Sequence, residues 1–134
     1  VLESIKALGP VPYNALGARL AAADVFLMPY TDKVSNVGRW PNKVGDYMCV
    51  GRPTISNPVG EVKRLFEAHD IGLLTPPEPE AMAAAARKLL ADPELADRYG
   101  AQARHTAETE YTWDKLILRL EAWYYEIIAK TDKS

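Results

Sequence analysis

Residues 36–53 contain the side chains whose types and spacing best suit a bound ligand. Gly38 lies just before a predicted helix, and Arg39 and Lys43 bring two positive charges to the start of that helix. The free N–H groups and the positive end of the dipole at a helix N-terminus favour an anion. Because Gly38 has no side chain, a phosphate group can approach its backbone closely. The segment therefore predicts a phosphate site.

A carboxylate, Asp46, follows Lys43 by one turn of the predicted helix. A carboxylate repels phosphate, but it accepts hydrogen bonds from paired hydroxyl groups such as those of a ribose. Together these residues predict a site for a nucleotide diphosphate. The simpler alternative is that Arg39, Lys43 and Asp46 are solvated surface charges, because short motifs have a real false-positive rate.

Composition excludes several classes of protein. The chain has 134 residues, about one domain, with 48% hydrophobic and 25% charged residues and a formal net charge of -2. A chain without basic excess is not expected to bind nucleic acid. No apolar run approaches the roughly 18 residues of a membrane span. The single cysteine, Cys49, fits a cytoplasmic protein, and His69 and His105 lie too far apart in sequence to predict a metal site.

Hydrophobic patterning predicts an α/β fold, in which a doubly wound, Rossmann-like parallel sheet is followed by C-terminal helices. Four short apolar runs read as strands, at 5–8, 25–28, 53–56 and 71–74, and we expect 25–28 to be buried on both faces. Helices are predicted after Asn14 as N-cap, from Pro41, over 61–68 and 78–91, from 93 to about 108, and after Thr112. We expect one partial domain, with an α/β part at 1–77 and helices at 78–134.

In doubly wound sheets, ligands bind beyond the carboxyl ends of the strands. The loops at 9–12, 29–40 and 57–61 follow those ends, so the site is expected there. The chain also starts at Val1, inside an apparent strand, which indicates a piece of a longer protein.

The run at 41–48, PNKVGDYM, followed by Gly51-Arg52-Pro53-Thr54, resembles the donor-site helix of retaining GT-B glycosyltransferases of family four (group 1), often P-x-K-x-x-E-Y-x-A-x-G-x-P. Further similar segments follow in the family's order and cover nearly the whole chain. They are GPV at 9–11, AADV to PY at 22–30, VGE at 59–61, GLL at 72–74, LADP at 90–93 and YTW at 111–113.

The resemblance implies the C-terminal, donor-binding part of an enzyme that moves a sugar from a nucleotide-diphosphate sugar to an acceptor. It makes the α/β part at 1–77 the nucleotide-sugar-binding part. Asp46 matches the second acid of the family's E-x7-E pattern and would bind the donor ribose, whereas Gly38 stands where the first acid is usual. The backbone of Val37, Gly38 and Arg39, with Lys43, would bind the diphosphate. Val11 would meet the nucleotide base.

Glu61 matches an acidic turn that would contact the donor sugar or only support the structure; a first-turn acid also favours the helix dipole. The resemblance implies no catalytic nucleophile in this chain. It implies no cofactor and no metal, because positive groups could stabilise the leaving diphosphate and no D-x-D motif is present.

The implied partners are the nucleotide-sugar donor and an N-terminal acceptor domain, to which the helix at 118–128 would cross. This chain alone is expected to be inactive, and peripheral membrane association through a parent protein is left open. The base, the sugar and the acceptor are not predicted. Two alternatives stay open, a non-catalytic binding or interaction module and a nucleotide-sugar epimerase, although the loops lack the histidine and paired carboxylates that an epimerase would need.

Overall fold

A computed structural model describes residues 4–131, which form a three-stranded parallel sheet with helices on both faces. The strands are short, and each is followed by at least one helix. In chain order the elements are α1 (Tyr13–Ala21), β1 (Phe26–Met28), α2 (Val34–Val37), α3 (Asn42–Cys49), β2 (Thr54–Ser56), α4 (Gly60–His69), β3 (Gly72–Leu74), α5 (Pro79–Ala91), α6 (Pro93–Glu110) and α7 (Trp113–Thr131).

The sheet has the order β1-β2-β3, and both pairs of neighbouring strands are parallel. Parallel neighbours need a crossover connection. Here α2 and α3 connect β1 to β2, and α4 connects β2 to β3. The predicted α/β class with a parallel sheet is therefore confirmed, and the three carboxyl ends lie at one edge.

One face of the sheet is buried against α3, α4 and α6. Val44 and Met48 of α3 are 0% and 1% exposed, as the helical spacing predicts. Met28 at the end of β1 faces the same core. This core comprises Met28, Tyr30, Val44, Met48, Val59, Val62, Leu65, Phe66, Ile71, Ala103 and Ala107.

The opposite face is buried only in part. Ile55 of β2 points to this face and packs with Ala85, Leu89 and Tyr99 of α5 and α6. Leu27 is level with Ile55 in the register but is 54% exposed, so the prediction that residues 25–28 are buried on both faces is wrong. The reason is that α5 packs against the central strand and leaves this face of the edge strand β1 open.

Two predictions near the start of the described residues are also wrong. Residues 5–8 form no strand, and Ile5 and Leu8 are 65% and 53% exposed. A short extended segment stays a strand only when a neighbour pairs with it, and no described strand does so. Asn14 is not the N-cap, because α1 begins at Tyr13 after Pro12, whose extended backbone precedes the first turn.

Other predicted helix boundaries are confirmed by specific contacts. The Leu95 N–H donates to Asp92 Oδ1 at 3.0 Å, so Asp92 caps α6. The Lys115 N–H donates to Thr112 Oγ1 at 3.4 Å at the start of α7. Gly51, with a φ of +67°, follows the C-cap of α3 in a left-handed conformation.

The helix α7 carries a large exposed apolar surface. None of its residues is buried, and it contacts the rest of the chain mainly through α6. Its prediction as a crossing to another domain stays a prediction. Within residues 4–131, no helix has the length and apolar character needed to traverse a bilayer. The exposed residues are Trp113, Ile117, Leu118, Leu120, Trp123, Tyr124, Tyr125, Ile127 and Ile128.

Close packing of α6 on the turn after α3 yields the first prediction. A Cβ atom added to Gly100 would collide with the carbonyl oxygen of Gly51, whereas one added to Gly45 of α3 would meet no atom within 4 Å. We expect Gly100→Ala to lower the free energy of unfolding by about 1–3 kcal/mol through overpacking. The matched change Gly45→Ala should raise it by about 0.5–1 kcal/mol, since alanine favours helix. Urea unfolding measures both, and equal stabilisation by the two changes would contradict this packing.

Candidate functional site

A pocket of about 430 Å³ opens between the carboxyl end of β1 and the N-terminus of α3. It lies where a parallel sheet is expected to bind ligands. The pocket contains both predicted cations, Arg39 and Lys43. Its other lining residues are Leu27, Met28, Pro29, Tyr30, Trp40, Pro41, Asn42 and Tyr47.

The predicted loop at 29–40, which supplies Arg39, is partly helical. It contains the short helix α2, and the Asn36 side-chain amide donates to the Thr31 carbonyl at 2.8 Å. Its far side rests on Gly60, where an added Cβ would lie 2.5 Å from the Val37 carbonyl oxygen. Gly60 also has a φ of +52°, which glycine adopts readily. Glycine at position 60 therefore permits close contact between α4 and α2.

An aromatic stack holds the end of the loop against a distant helix. The Trp40 ring stacks on the Tyr111 ring with 5.1 Å between centroids and 14° between planes. Tyr111 is the C-cap of α6, so the stack ties the loop to the C-terminal helices. Burial raises the pKa of the Tyr111 phenol, and the charge of Glu110 raises it further. The next residue, Pro41, occupies the N-cap position of α3, one residue earlier than its predicted place inside the helix.

The carboxyl ends of all three strands are joined by the side chain of Asn57, which is 4% exposed. Its Oδ1 accepts from the backbone N–H of Tyr30 at 2.8 Å, beyond β1. Its Nδ2 donates at 3.0 Å to the carbonyls of Thr75 and of Pro76, beyond β3. The amide thus uses its donors and its acceptor on backbone groups that the sheet ladder does not pair.

Tyr30, which is bound to Asn57 through its backbone, also contacts Arg39 through its side chain. The Nε–H of Arg39 donates to the Tyr30 hydroxyl at 3.0 Å, and the guanidinium carbon lies 5.5 Å from the Tyr30 ring centre. Tyr30 is 8% exposed, whereas Arg39 is exposed to solvent. The guanidinium group therefore lies at the pocket wall and is held by a buried tyrosine.

The pocket is electropositive because its cations have no carboxylate partners. Within residues 4–131, neither Arg39 nor Lys43 forms an ion pair, while Arg64, Arg98 and Arg104 each pair with an acid at 2.7–2.8 Å. No side chain caps the N-terminus of α3, so its first N–H groups add positive potential. This combination can hold an anion.

Tyr47 lines the same pocket, and its ring stacks on Phe26 with 3.9 Å between centroids. Burial raises the pKa of the Tyr47 phenol, and the neighbouring charge of Asp46 raises it further. The phenol therefore keeps its proton at neutral pH and can donate a hydrogen bond.

Asp46 lies on a different side of α3 from the pocket that holds the cations. It is exposed and lines a smaller pocket of about 220 Å³ between α1 and α3. Because residues three apart are neighbours on a helix surface, Asp46 is still adjacent to Lys43. The other residues of this second pocket are Tyr13, Leu16, Gly17, Leu20, Cys49 and Val50.

The remaining predicted residues line neither of these two pockets. Val37 and Gly38 end α2, and a Cβ at Gly38 would have room, with 3.8 Å to its nearest neighbour. Val11 is partly buried ahead of α1. Glu61 occupies the first turn of α4 and accepts from Arg64 at 2.7 Å.

Sequence reasoning missed Asn57 and Tyr30 as residues that build the site. Asn57 falls in the predicted loop at 57–61, and a polar residue directly after a buried strand is a usable signal. No sequence signal identifies the contact between Tyr30 and Arg39, which depends on how the loop folds back. Within the described part of the chain, no group of three or more potential metal-ligating side chains occurs.

Comparison with known proteins gives one family and two informative structures. The family model described as "Glycosyl transferases group 1" matches residues 1–92. A sucrose-phosphate synthase from Thermosynechococcus elongatus superposes with a TM-score of 0.80 at 24% identity, over 96% of this chain and 31% of that one. WaaG, a glycosyltransferase involved in lipopolysaccharide biosynthesis, superposes with a TM-score of 0.57 at 23% identity, over 69% of this chain and 24% of that one.

At these identities, both structures show similarity of fold alone. The chain spans less than a third of the length of either solved structure. No curated protein gives a significant match to it.

The Asn57 contacts generate a prediction for stability. In Asn57→Ala the buried Tyr30 N–H and two carbonyls lose their partner, so the free energy of unfolding should fall by at least about 2 kcal/mol. Asn57→Asp should also destabilise, because it sets an acceptor against the Thr75 and Pro76 carbonyls. Asn14→Ala, in the exposed first turn of α1, is the control and should change stability by less than about 0.5 kcal/mol. Equal urea midpoints for Asn57→Ala and this control would refute the assigned role.

Proposed function

The chain belongs to the group 1 glycosyltransferases, and we propose that it binds the nucleotide diphosphate of a sugar donor along α3, from the pocket with Arg39 and Lys43 to the pocket with Asp46. The observation that carries the proposal is the pair of cations, Arg39 and Lys43, which share a pocket with the uncapped N-terminus of α3. A cation at that end of a helix opposes the dipole, and a bound anion removes the conflict.

The diphosphate would lie against Arg39, Lys43 and the first N–H groups of α3. Basic side chains and helix N-termini are the usual protein groups for phosphate oxygens. The backbone at 37–39 would lie beside the same oxygens, and the open space at Gly38 suits such an approach. The Tyr47 hydroxyl, which keeps its proton, would add a neutral donor.

The nucleoside would lie further along α3. Three residues of helix rise by roughly 4.5 Å, so the step from Lys43 to Asp46 suits the step from phosphate to ribose hydroxyls. Asp46 would accept from those hydroxyls, and the base would enter the second pocket beside α1. Val11, in the segment before α1, would approach the base from its backbone, and Glu61 would stand on the donor-sugar side or support the turn.

The reaction of the whole enzyme would be sugar transfer with retention of anomeric configuration. Its hard step is departure of the diphosphate, and one preorganised donor at such a developing charge typically contributes about 3 kcal/mol. Arg39, Lys43 and the helix N-terminus would supply that stabilisation. Acceptor binding would belong to another domain, so this chain alone should bind the donor without transferring sugar. The whole enzyme would act in the cytoplasm.

The ribose role of Asp46 predicts a loss of nucleotide affinity. Calorimetric titration of this chain with UDP and GDP should give saturable binding to one of them. Asp46→Ala should weaken that binding about tenfold or more, since hydrogen bonds to a charged group contribute about 1.5–3 kcal/mol. Asp97→Ala removes a carboxylate from the exposed side of α6 and should change nothing. Folded wild-type chain that binds neither nucleotide would favour the non-catalytic alternative.

The diphosphate role of Lys43 predicts a different pattern. Lys43→Gln should weaken binding of the nucleoside diphosphate about tenfold while leaving binding of the corresponding nucleoside unchanged, because only the phosphates meet the ammonium group. The loss should shrink as salt concentration rises, since screening weakens the wild-type attraction. Lys115→Gln, at the start of α7, is the matched control. An equal loss for nucleoside and diphosphate would place Lys43 outside the phosphate site.

A further inference from the structure

We propose that Tyr30 is a positioning residue that holds the Arg39 guanidinium group ready for a diphosphate, and that it thereby sets preference for a diphosphate over a nucleoside. This proposal rests on the proposed function. It assigns a role to a buried side chain at the wall of the pocket, which acts through Arg39.

The first step is the immobility of Tyr30. Its backbone N–H donates to Asn57 at 2.8 Å, and Asn57 in turn donates to Thr75 and Pro76. Tyr30 is 8% exposed and belongs to the core between the sheet and α3, α4 and α6. Its ring and hydroxyl therefore have a fixed place relative to the sheet edge.

The second step is the way in which Tyr30 engages Arg39. The hydroxyl accepts from Nε at 3.0 Å. Among the residues that the structure describes, no acceptor takes a hydrogen bond from either terminal nitrogen of Arg39. The contact therefore orients the guanidinium group while leaving its two amino groups available, and these match a pair of phosphate oxygens.

The third step is charge. Arg64, Arg98 and Arg104 are held by carboxylates, which cancel their charge. The partner of Arg39 is a phenol, which fixes the side chain and leaves the full positive charge in the pocket. A free arginine has many rotamers, so a fixed one loses less entropy when the ligand binds.

The test uses this 134-residue chain, titrated with UDP, GDP, uridine, guanosine and inorganic pyrophosphate. Tyr30→Phe removes the hydroxyl and keeps the ring. We expect it to weaken nucleoside diphosphate and pyrophosphate binding about three- to tenfold, the loss that one hydrogen bond typically gives, and to leave nucleoside binding unchanged. In an Arg39→Gln background, Tyr30→Phe should have no further effect. A general loss of structure would instead weaken the binding of every ligand.

Two variants make the test specific. Tyr99→Phe is the control, because Tyr99 is also 8% exposed and has an arginine, Arg98, 4.8 Å from its ring centre, but lies in the other core. It should bind all ligands as wild type does. Arg39→Lys keeps the positive charge at an exposed position but loses both the Nε donor and the paired amino groups, so its loss should be threefold or more, and it stays informative if Tyr30→Phe does not fold.

The outcomes separate this proposal from the proposed function. Wild-type affinity for diphosphates in Tyr30→Phe or in Arg39→Lys would overturn the positioning role and leave the proposed function standing. An equal loss for nucleosides, or a loss that persists in the Arg39→Gln background, would also overturn it. Failure of the folded wild-type chain to bind any of the five ligands would overturn the proposed function, and the positioning role with it.

Discussion

One buried side-chain amide, that of Asn57, fixes the edge of the sheet on which the site depends. The strands have only three residues each, so their ladders alone give little control over the segments that leave them. Asn57 binds the segment after β1 and the segment after β3 while itself following β2. The buried hydroxyl of Ser56 adds a bond to the Met28 carbonyl at 2.8 Å. The loop that carries Arg39 therefore starts from a fixed point.

The loop ends at a second fixed point. Trp40 stacks on Tyr111, and α3 begins immediately afterwards. With both ends held, and with Gly60 allowing α4 to support the middle, the loop can present its positive groups without collapsing onto a carboxylate. This arrangement is locally unfavourable, because two cations stand near the positive end of a helix. Such conflicts between local preference and structure concentrate at functional sites.

Much of the fold follows from local sequence signals. Asp92-Pro93 marks the start of α6, Gly51 marks the end of α3, and the apolar run around Phe26 gives β1. These features depend on residues close in sequence, so patterning predicts them. The error at 5–8 has a different origin, because whether an apolar run becomes a strand depends on a pairing neighbour. The exposure of Leu27 likewise depends on where α5 packs, which the strand's own sequence does not encode.

The sequence predicts which charged residues form the candidate site, but it does not predict the contacts that position them. The helix start after Gly38 identified Arg39 and Lys43 as neighbours, and the structure places both in one pocket. The contacts that position them join residues 9, 18, 27 and 71 apart, as in Arg39 to Tyr30, Asn57 to Thr75, Tyr30 to Asn57 and Trp40 to Tyr111. Contacts between residues so far apart in sequence form only once the sheet has assembled, so local patterns do not predict them. The spacing of Lys43 and Asp46 makes them neighbours on α3, and only the packing of α1 on one side of that helix shows that they line separate pockets.

The central claim is that one nucleotide diphosphate lies along α3 and spans both pockets. The most direct test is an amide nitrogen–proton NMR titration of this chain with UDP and with GDP. The account predicts saturable shifts for one nucleotide, confined to the amides of 37–47 and to those around Tyr13 and Leu16. Shifts that cluster elsewhere, such as on α5 or α7, or an unchanged spectrum of the folded chain with both nucleotides, would contradict it.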